Sequence, residues 1–469
     1  MFIDFFNPQK YGKTIVGANK YSFLVLAAIL FCSLETITLP LPRLIDNHSC
    51  LVPIMRFYFL LVRIAALFGH KKARLLVRGQ ADTLKQLRQE NSTEVNTLDE
   101  LHGCVWFHAA SVGEFEQARP IIERLKKDQP DKKVVLTFFS PSGYEMRKNY
   151  EHADRVFYLP FATGKNARRF IETLQPSMAV FVKYEFWKPY LKELHRRAIP
   201  TYLISAIFRP TQLFFRPWGR PYLNWLKYFT RLYVQDQPSA DLLASHGITA
   251  VTVVGDTRFD RVRMISKLTR KIPQMEVFTA QRSLTETVPP SVLVAGSTWP
   301  PDEKLIARYM SERDDVRLVL VPHEINEKHM QYIFQLFQGR YVLWSEANRH
   351  NLTQTRVLVV DQMGLLSKLY KYAQVAYIGG GFGVGIHNTI EAAVYGIPVA
   401  FGPNYHKFRE AKGLVDAGAA ATVKNYKQFR DTMDNMLACH EQMGQAATTY
   451  IKSELGATDK IYKQLFPKQ

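Results

Sequence analysis

The sequence predicts an α/β chain of two doubly wound parallel-sheet domains in series, and three observations carry the prediction. Short apolar runs alternate with amphipathic helical patterns in two blocks, 101–260 and 291–469. Between them lies a polar, charged stretch, 261–290, ending in Pro289-Pro290, which reads as a linker. Both blocks also place small residues where an apolar run gives way to a helix, at 109–113 and 379–385, the edge where open sheets of this kind bind ligands. The 469 residues exceed the roughly 250 to 300 that one hydrophobic core fills, so two domains and an appendage fit.

The chain opens with hydrophobic and basic segments, 1–54 and 55–100. Residues 23–34 form an apolar run stopped by Glu35, Pro40 and Pro42, with the length of a signal-peptide core or an interfacial segment rather than of a bilayer span. Lys10, Lys13 and Lys20 precede it, but no small-x-small cleavage site follows. A second run, 51–68, carries Arg56 and Arg63 on one helical face, with Phe57, Phe59, Leu60, Leu61, Ile64, Leu67 and Phe68 around the rest. An arginine near mid-helix costs a lone span roughly 2.5 to 3.5 kcal/mol, so an interfacial helix or shallow anchor is expected. Lys71, Lys72, Arg74 and Arg78 follow, and each such charge near an anionic leaflet contributes about 1 kcal/mol. The alternative is an ordinary amphipathic helix packed on the globule.

In the first block, the segment from Val105 to Ala118 (Val-Trp-Phe-His-Ala-Ala-Ser-Val-Gly-Glu-Phe-Glu-Gln-Ala) reads as strand, tight turn and helix. Glu114 then falls at the carboxyl edge of the sheet. It either complements the helix dipole from the first turn or turns its carboxylate to the crevice. Further strands are predicted at 134–138, 155–159, 178–182, 201–205, 231–235 and 251–254. Lys183-Tyr184-Glu185-Phe186-Trp187 follows one of them on Glu114's side, and Gly255-Asp256-Thr257-Arg258-Phe259-Asp260 ends the last.

In the second block, strands are predicted at 292–295, 317–321, 341–344, 357–360, 375–378 and 398–401. Gly296-Ser297-Thr298 ends the first, and Pro300-Pro301-Asp302-Glu303 opens a helix whose N-terminus reads as an anion site. The densest signal is Gly379-Gly380-Gly381-Phe382-Gly383-Val384-Gly385-Ile386-His387-Asn388-Thr389-Ile390-Glu391. Its glycines permit close backbone approach to a ligand, and a helix expected from His387 would put Glu391 one turn on. A nucleotide fits such a turn; so does a junction that needs glycine for geometry alone. Pro322-His323 and Asp361-Gln362-Met363-Gly364-Leu365 also stand at strand-to-helix junctions.

These stretches, in this order and joined by Gly402-Pro403-Asn404, Phe408-Arg409-Glu410 and Gly456-Ala457-Thr458, resemble the Kdo transferases. That family moves 3-deoxy-D-manno-octulosonic acid (Kdo) from CMP-Kdo onto the lipid A precursor (lipid IVA). The resemblance runs from about Met55 to the C-terminus, leaving 1–54 without a counterpart and expected to be dispensable. It implies a GT-B-type fold, two Rossmann-like domains facing a central cleft, with an N-terminal hydrophobic membrane anchor. It makes Glu114 the catalytic base, with Ser111 and Gly113 at the substrate. Lys183 stands where the family has the first acid of Glu-x-Glu-Leu-Trp-Pro, and Arg258 where it has the lysine of Gly-Asn-x-Lys-Phe-Asp; both are assigned to the reacting centre. The resemblance gives CMP-Kdo the residues Ser297, Thr298, Pro322, His323, Met363, Gly364, Leu365, Gly385, His387, Asn388, Thr389, Ile390 and Glu391. His323 replaces a family arginine, Ile386 a glycine and Thr389 a proline.

Composition agrees with an anionic partner: Lys plus Arg number 61 against 42 Asp plus Glu, a formal +19. No zinc-ligand spacing or RNA-binding aromatic signature accompanies the charge, so no nucleic acid is expected. Cys32, Cys50, Cys104 and Cys439 are scattered, which fits a reducing compartment. With no Asp-x-Asp in the chain, neither metal nor other cofactor is expected. The expected partners are CMP-Kdo, the lipid A precursor and an anionic membrane surface, at the cytoplasmic face of the bacterial inner membrane. Two rivals remain, a GT-B enzyme using a UDP-sugar and a non-enzymatic basic membrane-binding protein.

Overall fold

The computed structural model describes residues 51–88, 98–280, 290–383 and 385–467, and the chain divides into two units, Met1–Arg261 with Gly456–Gln469 and Val262–Leu455. The apolar run 23–34, Cys32 and Cys50 lie outside the described residues.

The first unit holds seven parallel strands: β1 (Val105–Ala109), β2 (Val134–Phe138), β3 (Arg155–Tyr158), β4 (Met178–Val182), β5 (Thr201–Ala206), β6 (Arg231–Val234) and β7 (Val251–Val253), ordered β3-β2-β1-β4-β5-β6-β7. The strand entered first is central, so the order reverses between β1 and β4, and a crevice opens beyond their carboxyl ends. Side-chain alternation feeds two cores: Trp106 and Phe181 pack on one face with Phe170 and Tyr190, while Val105, Phe107 and Val180 pack on the other with Phe115 and Ile121. Both faces are buried, which is why these strands read as continuous apolar runs.

Two helices precede the sheet, Leu51–Leu67 and Lys71–Gln86. Phe59 is buried with its ring 4.0 Å from that of Phe161, and Leu76 joins the same core. Leu60, Leu67 and Phe68 are instead 52%, 84% and 73% exposed, beside the exposed Lys71, Lys72, Arg74 and Arg78. Among the described residues no helix is long and apolar enough to cross a membrane.

The carboxyl-terminal helix Ala457–Leu465 also packs on this unit, burying Ile461, Tyr462 and Leu465 beside Phe115 and Ile122. Asp260 fixes its start: one carboxylate oxygen accepts from the Gly456 N–H and the other from the Thr458 N–H, each at 2.7 Å. The two orphan donors at that helix end are met by a side chain far away in sequence, and Gly456, at φ +101°, makes the turn that presents them. Gly456-Ala457-Thr458 thus lies between the end of the helix His440–Ser453 and the start of the next.

The second unit repeats the architecture with β8 (Ser291–Thr298), β9 (Val316–Pro322), β10 (Val342–Leu343), β11 (Val357–Val359), β12 (Val375–Ile378), β13 (Val399–Phe401) and β14 (Ala420–Thr422), all parallel, in the order β10-β11-β9-β8-β12-β13-β14. Part of the stretch read as linker is helical, Thr257–Leu268 and Pro273–Phe278. The second helix is held by Arg317, fully buried as the second residue of β9, whose guanidinium donates to the carbonyls of Phe278, Ala280 and Thr353.

Candidate active site

In the first unit the predicted turn closes as expected: β1 ends at Ala109, Ser111 is the N-cap, and the helix runs Val112–Asp128. Glu114, its third residue, bends back so that Oε2 accepts the Ala110 N–H at 2.7 Å, and it is 7% exposed. Burial, reinforced by the nearby negative charge of Glu185, raises this carboxyl to about 8; Lys183 and the Ala110 N–H oppose the shift. Gly113 is exposed, with nothing within 4 Å of where a side chain would begin.

Glu185 belongs to a network that no single motif announces. Its Oε2 lies 3.0 Å from His108 Nε2 and accepts the Trp187 indole N–H at 2.6 Å, while His108 Nδ1 lies 2.8 Å from the Thr137 hydroxyl. His108, Thr137 and Glu185 are almost wholly buried, so β1, β2 and the turn after β4 are tied together beneath Glu114. Trp187 stands at the N-cap position of the helix Lys188–Arg196, and its ring fills the core.

Beside it, Lys183 adopts a left-handed backbone, φ +58°, and donates its N–H to the Ile204 carbonyl at 2.9 Å. Ser205, within the register shift in β5, and Ser297, within that in β8, share that conformation. Non-glycine residues rarely occupy it, and strain of this kind, of order 1 to 3 kcal/mol, gathers at functional edges. Arg258 is held by the buried Asp256. Burial would lift that carboxyl, but the guanidinium outweighs the effect and keeps it below the ordinary carboxylate range.

In the second unit every candidate binding residue lies at or beyond the carboxyl ends of β8, β9, β11 and β12. The helix Pro300–Glu312 was read as an anion site, but its own acids fill its first turn. Asp302 accepts the N–H groups of Trp299 and Gly380 at 3.0 Å and the Tyr377 hydroxyl at 2.8 Å. Glu303 accepts the Thr298 hydroxyl at 2.9 Å and lies 2.9 Å from His329 Nε2. Burial raises both carboxyls above their ordinary range. Thr298 is buried with its proton committed to Glu303, so its side chain does not reach a ligand; Ser297 at the strain point remains half-exposed.

The glycine loop is shaped by close backbone approach. A side chain at Gly379 would meet the Ser297 carbonyl at 2.3 Å, and one at Gly381 the Gly402 Cα at 2.6 Å. The helix after it begins at Ile390, not near His387, and spans only Ile390–Ala393. His387 N donates to the Gly379 carbonyl at 3.2 Å, which holds the segment in an open loop. Asn388 donates to Glu391 Oε1 at 2.9 Å, so the acid is approached from the loop. The rings of Trp299, His323 and His387 form a stack, with centroids 4.8 Å and 4.3 Å apart. His387 Nε2 accepts the Trp299 indole N–H at 3.3 Å, which leaves Nδ1 to carry the proton, and burial beside His323 lowers its pKa to about 4. Met363 and Gly364 lie in a turn, Met363 being strongly exposed, and Gly385 lies in the irregular loop before His387; Pro322, Thr389 and Ile390 are buried and Leu365 half-buried.

Sequence reasoning missed Asp256 and the pairing of His108 with Glu185. A signal existed for the first: Lys183 and Asp256 depart from the Kdo transferase pattern in opposite senses, a cation for Glu and a carboxylate for Asn.

The sequence model of the family described as 3-deoxy-D-manno-octulosonic-acid transferase (kdotransferase) matches residues 78–261. A 3-deoxy-D-manno-octulosonic acid transferase of Aquifex aeolicus is 25% identical over 354 residues, 74% of this chain and 90% of the relative. Its counterpart from Rickettsia prowazekii is 26% identical over 379 residues, 78% of each chain. Among solved structures, UDP-GlcNAc 2-epimerase from Neisseria meningitidis aligns with a TM-score of 0.56 at 18% identity, covering 78% of this chain and all of that one. UDP-GlcNAc 2-epimerase from Methanocaldococcus jannaschii aligns at 0.51 and 14%, covering 74% and 98%. At such identities the structures share the GT-B-like α/β fold alone. The chain thus carries a Kdo transferase family domain over residues 78–261 and is related along most of its length to the enzymes of that family.

Proposed function

We propose that the protein is an inverting glycosyltransferase that moves Kdo from CMP-Kdo to the lipid A precursor. The observation that carries this reading is Glu114: a carboxyl at a sheet's switch point, one oxygen anchored and its pKa raised to about 8, where a base for a sugar hydroxyl has to sit. Since Oε2 holds the Ala110 N–H, Oε1 is the atom that takes the acceptor proton. On the first unit, Lys183 offers positive charge beside Glu114. On the second, the nucleotide is assigned to Ser297, the backbone at Met363-Gly364, the His323–His387 stack and Glu391. The proposal needs no metal or other cofactor, since protein cations and backbone N–H groups stabilise departing CMP. Incubation of the protein with CMP-Kdo and tetraacyl lipid A precursor is expected to give acceptor product heavier by one or more Kdo residues, with CMP but not UDP competing. No mass change, or inhibition by UDP and not CMP, sinks the assignment.

The exposed Leu60, Leu67 and Phe68 beside four cations support a seat at the cytoplasmic leaflet of the inner membrane. Replacing Leu67 and Phe68 together with glutamate is expected to lower binding to vesicles containing phosphatidylglycerol at least tenfold, read by co-flotation. Unchanged flotation refutes that seat.

A further inference from the structure

We propose that Lys183 is the cation that meets the substrate's anionic group, and that Asp256 is a positioning residue that ties Arg258 into the fold. The inference rests on the reading of the site given above. Asp256 is 1% exposed, and its carboxylate accepts three hydrogen bonds from one residue: Oδ1 from the Arg258 backbone N–H at 2.9 Å, Oδ2 from Nε at 2.9 Å and from Nη2 at 2.7 Å. Two of the three guanidinium nitrogens are thus committed to a buried carboxylate, and a fork closed in this way offers an incoming anion little net charge. Lys183 stands at the end of β4, half-buried and in its left-handed turn, beside Glu114. Its charge acts on the carboxyls of both Glu114 and Asp256, lowering each. A compact ammonium there suits a phosphate or a sugar carboxylate. Relative to the family pattern, an acid is missing from the end of β4 and one is present after β7, two residues before a position that is cationic in the family as well.

The test uses the full chain with inorganic phosphate as probe, followed by calorimetry, and kinetics with CMP-Kdo. Lys183→Gln is expected to weaken phosphate at least tenfold, to lower kcat at least a hundredfold, and to move the acid limb of the pH profile upward, because a positive charge has left Glu114. Lys183→Arg retains phosphate binding and kcat within about fivefold, which a purely structural lysine would not require. Arg258→Gln changes phosphate affinity by less than threefold and kcat by less than tenfold. Asp256→Asn added to Lys183→Gln recovers at least threefold in phosphate affinity, by releasing Arg258. Arg258→Gln costing more than Lys183→Gln in phosphate affinity overturns the proposal, as does an acid limb that stays put in Lys183→Gln. A wild-type protein that binds phosphate in this pattern yet transfers no Kdo would defeat the proposed reaction and leave the anion site standing.

Discussion

Glu114→Gln will fold, bind CMP and transfer Kdo more slowly by a factor on the order of a thousand, since a positioned general base contributes about 10² to 10⁴. The amide oxygen can still accept the Ala110 N–H that the carboxylate accepts now, so only the proton-accepting function is removed. Wild-type kcat/KM should rise about tenfold per pH unit up to about pH 8 and then level, because only the ionised carboxylate accepts a proton. Stability moves the opposite way. The native state holds the Glu114 proton up to about pH 8, whereas an ordinary glutamate releases it near 4.5. The stability this proton confers is present below that lower value and lost as pH rises through the interval. Glu114→Gln lacks that slope, so between pH 5 and pH 9 it should gain on wild type by on the order of 3 kcal/mol in urea unfolding. Substantial turnover by the variant, or a wild-type rate flat between pH 6 and 8, would contradict the role.

Gly381→Ala is expected to cost about 3 kcal/mol and to abolish nucleotide binding, whereas Gly383→Ala, two residues on, should change stability by less than about 0.5 kcal/mol. At Gly381 the new carbon would lie 2.6 Å from both Cα and N of Gly402, and backbone cannot rotate away as a side chain can. The clash would push apart the loops after β12 and β13, the first of which carries His387, Asn388 and Glu391. At Gly383 the nearest atom is the Gly380 carbonyl at 3.5 Å, an ordinary contact. Thermal unfolding and CMP titration of both variants separate the cases. Equal behaviour would mean the loop is not held by this contact.

The strands at 178–182 and 375–378 were legible to the residue because each is a continuous apolar run with polar or glycine neighbours, the mark of a strand covered on both faces. β14 was not, since Ala-Ala-Thr at a sheet edge has neither length nor branched side chains to announce it. The stretch before Pro289 read as linker from its charge, yet Arg317 draws Phe278 and Ala280 onto the second sheet through contacts that local pattern cannot show. Much the same divides the site. Glu114 follows from a strand–turn–helix signature and from resemblance, whereas His108 meets Glu185 across 77 residues of sequence, and their pairing depends on β1 lying next to β4. The start at Ile390 rather than His387 reflects a backbone bond from His387 to Gly379, which competes with helical winding and wins.

Asp260 makes the first unit discontinuous in the gene. A polypeptide ending at residue 261 would retain every strand of the first sheet but lose the segment that shields Phe115 and Ile122, exposing an oily groove on the helix bearing Glu114. Ribosomal synthesis therefore leaves the unit that holds Glu114 incomplete until residues 456–465 have been made, and a cut after residue 455 acts on that first-made unit rather than on its neighbour in sequence.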